Sequence, residues 1–496
     1  MAILPYDIWH LITQYLSDEF VRCLYPINQT LFEISMNLRY QTAVVGKVDS
    51  SEPGFGRNDI KNIDDMQHSH RPTVLKIRFW ELDFICRKLH VVHRRRFSCG
   101  NILIGLRDRS KIPQGVTLDE FLKTTRETVS KLTSLQKVVL EYGDCLDFPV
   151  VSYHPSLIKF ICELWDIHGR RIIKMDSQLS LEDLAQIIPD FGSSLSHLQH
   201  LVIRLDIAYR TSDVDSLAAT TVLPFINDVR HTLTHLDLDI FEYSMDLFLF
   251  LRGLEHLPVL ESISFKSFVF TIMDHTDYEI LHNFFATHKQ SLKSLTLHFV
   301  RAWSDNPYVE TFFARDWAHN QVPRLVFLDL HLMHLPLSQS ICAYIKCFAS
   351  SLASLKLSNY QYFTFEEITE LLFTLHNFEY LRSLDLKILC FSPELLRLLA
   401  KQLPRLDSFS SNHRNLCREV DVALLVDDPQ EWASELLDTN SNSALSTWSL
   451  RSLSFGPIRL YAPVSWEVYM KRTLTRVLPN VRWFNDLEPQ AFIEVD

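Results

Sequence analysis

Three histidine pairs, His90 and His93, His231 and His235, and His331 and His334, have spacings that can hold a metal ion from one helix face. The last two pairs straddle segments that read as strands, where that spacing does not converge on a single ion. Asp237 and Asp239 flank Leu238, so on a strand both carboxylates share one face and can chelate a cation; they read more simply as surface carboxylates. The sequence contains no H-E-x-x-H pair, Walker loop, dinucleotide fingerprint, nucleophile elbow or C-x-x-C pair. Only 11 of 496 residues are glycine, which argues against glycine-rich phosphate loops. No catalytic residues, no metal and no cofactor are therefore expected, and the chain reads as a non-enzyme.

A basic run is the other chemical candidate. Residues 71 to 131 hold fourteen Lys or Arg against six Asp or Glu, in a chain whose net charge is −11. Arg94, Arg95 and Arg96, with Arg87, Lys88, Arg107, Arg109 and Lys111, can bind nucleic acid or act as a nuclear import signal. They lack the interleaved aromatics of a single-strand binder, so a solvated basic face is expected instead of a nucleic-acid partner.

What positions these side chains is a repeat. From residue 132 the pattern L-x-x-L-x-L, with apolar substitutions, begins at Leu135, Leu198, Leu233, Leu260, Leu292, Leu325, Leu352, Leu381 and Leu450. Weaker copies lie at Ile173/Met175 and Leu406/Phe409. The L-x-L core is a strand with one buried face, and Leu181 to Ile188, Tyr278 to His288, Phe365 to Leu375 and Pro393 to Leu403 carry helical spacing. One strand and one helix cannot bury their apolar faces alone, so the units must stack into a parallel sheet lined by helices. This resembles an irregular leucine-rich-repeat solenoid, an α/β fold. Tyr360, Leu389 and Phe299 stand where the full signature places Asn or Cys, so its ladder is expected to be missing. The competing reading is a doubly wound α/β enzyme.

The residues between the leucines form rows on the other face. Asp237, Asp239, Lys266, His298, Asp329 and His331 are the candidate contacts for a protein substrate. Serines recur in the later repeats, either as contacts or as small residues that permit close strand stacking.

The first forty residues carry a different pattern. Ile8, Leu11, Ile12, Tyr15 and Leu16 make one helical stripe behind Pro5, Ser17 can cap a second helix that Pro26 ends, and Asn28 can cap a third. Ile27 and Phe32 are spaced to close that cap as a hydrophobic staple. A trio this small is expected to dock onto something else. Leu4, Pro5, Asp7, Ile8, Ile12, Leu16, Asp18, Phe20, Leu24 and Ile27-Asn28 resemble the F-box, and the string from Leu24 to Tyr40 looks like that of fungal adaptors in particular. The resemblance implies a substrate adaptor of an SCF-type ubiquitin ligase. Leu4, Pro5, Ile8, Ile12, Leu16, Leu24, Ile27 and Leu31 would seat in the Skp subunit, and through it a cullin and a RING protein. The alternative is a leucine-rich-repeat interaction scaffold outside a ligase.

The expected organisation is an F-box-like helical domain at 1–46 and a linker at 47–72 holding three of the glycines. A divergent first repeat or cap follows at 73–131, then the solenoid at 132–460 and a C-terminal cap at 461–496. With 47% hydrophobic residues and a mean hydropathy of zero the chain reads as folded. The absence of a signal-like N-terminus or an apolar run of about 18 residues leads to the cytoplasm or nucleus, with no membrane partner. Nine scattered cysteines are expected to be mostly reduced.

Overall fold

The computed structural model describes residues 6–13, 16, 20–21, 24, 28–45, 71–79, 82, 86, 117–141, 155–188, 194–205, 214–240, 247–268, 275–300, 313, 322–332, 336–416, 429–437, 443–455 and 464–484. Leu4, Pro5, Ile27, the His90/His93 pair, His334 and the basic run from Arg87 to Lys111 lie outside them, as does most of the 47–72 segment. The chain divides into two compact units, Met1–Asp246 with Gly253–Val259, and Leu247–Arg252 with Leu260–Asp496.

The first unit contains strands β1 (Thr42–Val45), β2 (Val74–Arg78), β3 (Lys137–Glu141), β4 (Lys174–Leu179), β5 (His200–Leu205) and β6 (His235–Ile240). Each pairs in parallel with the next in sequence. The second unit contains β7 (Ser262–Phe268), β8 (Ser294–Val300), β9 (Phe327–His331), β10 (Ser354–Ser358), β11 (Ser383–Phe391), β12 (Ser408–Leu416), β13 (Ser452–Phe455) and β14 (Trp483–Phe484). They pair in the same sequential, parallel way. Helices connect them, among them Leu118–Ser130, Pro155–His168, Gln339–Lys346, Phe365–Leu375 and Pro393–Gln402, and neighbours pack on one another.

The leucine ladder is the core. Leu75, Val138, Met175, Leu201 and Leu236 share one register in the first unit. Ile263, Leu295, Leu328, Leu355, Leu384, Phe409, Leu453 and Phe484 share one in the second. All are almost fully buried, and each such side chain contributes about 1.5–3 kcal/mol when removed from water. Alternation sends the intervening residues to the opposite face, as the period of two requires.

Repeat length drifts, yet the register does not. The residue preceding each strand donates its N–H to the matching carbonyl of the strand before: Ile173 to Gln136 (2.8 Å), Val326 to Lys293 (2.7 Å), Ala353 to Val326 (2.9 Å), Arg382 to Ala353 (2.8 Å) and Asp407 to Arg382 (2.8 Å). Inserted residues are therefore absorbed elsewhere in each unit. Helix starts are set locally. Thr117 with Glu120, and Thr364 with Glu367, form capping boxes. Glu367 also accepts from the Leu337 N–H of the preceding repeat (2.8 Å).

The weak repeats have a specific cause. Both β4 and β12 replace the last ladder leucine with serine, Ser177 and Ser411, each buried with its hydroxyl unpartnered. The sheet nevertheless runs through them, because their backbone pairs normally.

The N-terminal boundary differs from the sequence reading. Strand β1 lies inside 1–46, immediately after the Gln29–Tyr40 helix, and pairs with β2. Leu31 and Ile34 are buried, and Arg71 ties the helix down through Glu33 Oε2 (2.7 Å) and Asn37 Oδ1 (2.6 Å). That helix thus serves the first strand as later helices serve theirs. At the other end, the Val464–Val477 helix leads into β14, which adds one more unit to the sheet. Cys86, Cys162, Cys342 and Cys347 are reduced thiols outside any disulfide, whereas Cys390 is disulfide-bonded.

Candidate functional site

In the first unit, three rows of side chains cross the exposed strand face. The first holds Lys137, Lys174, His200 and His235, the second Val139, Asp176, Val202 and Asp237, the third Glu141, Gln178, Arg204 and Asp239. Most charges are neutralised between adjacent strands. Glu141 takes both Lys76 Nζ (2.7 Å) and Arg78 Nε (3.1 Å), and Arg204 donates to Asp176 Oδ1 (2.9 Å). The His200 and His235 rings stack at 3.9 Å. Burial, then the neighbouring His235 and Lys174, push His200 down to about 4, so it is a neutral ring at physiological pH.

Asp237 is half-buried and Asp239 is buried, at 8% exposure. Both were expected to be surface carboxylates; Asp239 instead lies deeper, near the strand's end. Among the described residues, no group of three or more His, Cys, Asp or Glu side chains is arranged to hold a metal ion.

In the second unit, alignment places Ser262, Ser294, Phe327, Ser354, Ser383, Ser408 and Ser452 in the first row. The second row holds Ser264, Thr296, Asp329, Lys356, Asp385, Ser410 and Ser454, and the third begins Lys266, His298, His331, Ser358. Charge in the second row is shared. Lys356 Nζ sits 3.8 Å from Asp329 and 3.9 Å from Asp385. Asp329, only 6% exposed, also meets His298 Nε2 at 3.0 Å, a close contact whose angles do not make a hydrogen bond. Burial raises the Asp385 carboxyl, against the pull of Lys356 and a hydrogen bond with Ser410. His331 shares a 2.7 Å hydrogen bond with Ser358, and its ring tilts against His298 at 5.5 Å.

Of the predicted contacts, Lys266, His298, Asp329 and His331 fall on neighbouring strands of this unit. Asp237 and Asp239 share β6 in the first. Sequence reasoning did not single out Lys387, which follows Leu386 on the exposed face of β11 as Ser358 follows Leu357 on β10. Its ammonium stands over the rings of Tyr362 (4.6 Å) and Tyr360 (5.9 Å). Tyr362 has φ of 64°, the left-handed region, which costs a bulky residue about 1–3 kcal/mol. The tyrosine noted at the missing ladder position was the available signal. Asn359, one residue earlier, is buried and accepts from Gln361 N–H (3.1 Å), turning the loop.

At the N-terminus, the Tyr6–Thr13 helix leaves Ile8, Leu11 and Ile12 uncovered, at 41%, 50% and 38% exposure. Phe20 is exposed as well. Leu16 and Leu24 are half-buried. Asn28 caps the next helix as expected, accepting from Leu31 N–H (2.8 Å). Leu31, expected to face a partner, is instead 1% exposed and belongs to the chain's own core, while Phe32 next to it points outward.

Repeated strand–helix elements, an apolar ladder within each of the two compact units and sequential parallel pairing define an α/β solenoid of leucine-rich-repeat type. No protein-family model and no curated protein matches the chain. Fifty-nine chains of solved structures do. One is the crystal structure of a TLR13–ssRNA13 complex, at 12% identity and a TM-score of 0.32, with 72% of this chain and 46% of that one covered. The matched region thus spans less than half of that protein. No helix among the described residues is long and apolar enough to cross a membrane.

Proposed function

We propose that the chain is a non-catalytic adaptor. Its N-terminal helices dock onto the Skp subunit of an SCF-type ubiquitin ligase, and through it a cullin and a RING protein, while the exposed strand face holds a protein substrate. Such an adaptor raises effective concentration and orients the substrate without performing chemistry itself.

The observation that carries the reading is the uncovered stripe of Ile8, Leu11 and Ile12. A short helix that exposes three large apolar residues at i, i+3 and i+4 is a surface seeking a groove. The strand face supports the second half, since it offers rows of polar side chains on a rigid scaffold. The second reading, a repeat scaffold outside a ligase, draws on Arg71, whose contacts with Glu33 and Asn37 fasten the Gln29–Tyr40 helix as a cap would be fastened.

Affinity capture of the tagged full chain separates them. The adaptor brings down the Skp subunit and the cullin, and Leu11→Asp, or Leu4→Ala with Pro5→Ala, abolishes both. Capture of Skp without cullin favours the scaffold, and capture of neither, unchanged by the variants, ends the ligase reading.

A further inference from the structure

The third row of the second unit differs from the rows around it. Across β7 to β12 it reads Lys266, His298, His331, Ser358, Lys387 and Asn412, with no carboxylate. The carboxylates of the adjoining row, Asp329 and Asp385, are already engaged with His298 and Lys356. Lys387 is engaged differently. Its ammonium rests against two aromatic faces, and among the described residues it forms no ion pair.

That arrangement is held in place from two sides. The Phe363 N–H donates to the Lys387 carbonyl (2.9 Å), and the Leu389 N–H donates to the Phe363 carbonyl (2.8 Å). The loop carrying both tyrosines is therefore stitched to the strand that carries the lysine. A glycine would meet the left-handed backbone at 362 without strain; a tyrosine there puts a ring beneath the ammonium. Tyr360 is 65% exposed beside it. Partial burial lowers the Lys387 ammonium below its ordinary value, and an arriving anion would offset that cost.

We infer that Lys387, framed by Tyr360 and Tyr362, reads a carboxylate on an acidic segment of the protein partner lying along the third row. The inference rests on the strand face being the partner-binding surface and names the chemistry recognised there. The three rows of this face, from β7 to β12, contain no arginine, the residue whose planar fork suits phosphate; Arg414 follows Asn412 two residues further along β12, beyond the third row. A nucleic-acid backbone requires many cations rather than a few.

The test uses the full chain and fluorescence anisotropy with four labelled probes. These are a short peptide alternating glutamate and serine, its glutamine and phosphoserine counterparts, and a single-stranded RNA of similar length. The glutamate peptide binds, the glutamine peptide binds at least tenfold more weakly, and Lys387→Met weakens the glutamate complex about tenfold. Tyr362→Gly weakens binding without lowering the thermal midpoint, which separates a ligand-framing ring from a structural one. Absent glutamate-peptide binding, equal binding by Lys387→Met, or tighter binding of the phosphoserine peptide or RNA overturns the inference. Skp capture is measured on the same preparations. Intact capture with failed peptide binding refutes the anion inference alone, whereas lost capture with intact peptide binding refutes the ligase reading alone.

Discussion

Acid sensitivity of the second unit should trace to one side chain, His413. It occupies an inward position of β12, in register with the buried Ile388 of β11. Its ring stacks on Phe391 at 5.3 Å and tilts against Phe455, and Trp432 also stacks on Phe391, at 5.9 Å. Neither ring nitrogen makes a hydrogen bond of good geometry. Burial is the dominant influence and pushes the imidazole down to about 4, with the Ser411 backbone offering slight opposition. Because the folded value lies below the unfolded one, about 6.5, the unfolded chain binds more protons between them. Stability is therefore complete above about pH 6.5 and falls as the pH drops toward 4. Linkage gives a loss of about 2 kcal/mol by pH 5, approaching about 3 kcal/mol below pH 4. His413→Leu replaces the ring with the side chain the ladder uses elsewhere. Urea unfolding followed by tryptophan fluorescence, at pH 7.5 and pH 5, compares the two proteins. The wild type should lose about 2 kcal/mol more than the variant across that interval. His168 and His200 shift in the same direction but are common to both proteins, so they cancel in the difference. Equal losses would refute the assignment.

Other variants probe the ladder and the face. Ser177→Ala and Ser411→Ala each remove a buried, unpartnered hydroxyl, and each should raise the unfolding free energy by about 1 kcal/mol in urea titration. Gly169→Ala brings a Cβ to within 2.6 Å of the Ser194 carbonyl oxygen, a backbone atom, and should lower the melting midpoint through about 1–3 kcal/mol of overpacking. Thr364→Ala breaks the capping box of the Phe365–Leu375 helix and should cost about 1 kcal/mol by the same assay. Lys356→Met removes the cation shared by Asp329 and Asp385, so the already raised Asp385 carboxyl should climb further in a carboxyl-resolved NMR titration.

The repeat was legible because burial in a parallel solenoid imposes a period of two on every strand. The residues between the leucines of β8 to β11 fall in register as their spacing foretells. β4 and β12 read weakly because Ser177 and Ser411 interrupt the apolar pattern, while backbone pairing, which the pattern does not encode, carries the sheet through. β1 was hidden for a different reason. Its four residues are too few for a pattern and follow a helix that looked independent, and the Arg71 contacts that fasten that helix span more than thirty residues of sequence. Leu31 illustrates the same limit. A helical stripe shows which residues are apolar but not whether the chain itself or a partner covers them. The spacing places Lys387 in the third row but not over its two rings, because these sit in a turned loop, and neither the turn nor the positive φ of Tyr362 has a sequence signal when no glycine is present.

The most direct measurement is the affinity of the purified full chain for an isolated Skp subunit, by biolayer interferometry, with Leu11→Asp as the paired variant. The adaptor reading predicts saturable binding that the variant weakens at least a hundredfold, since an ionised aspartate cannot enter an apolar groove without a desolvation cost of several kcal/mol. Absence of wild-type binding, or equal affinity of the variant, would contradict it.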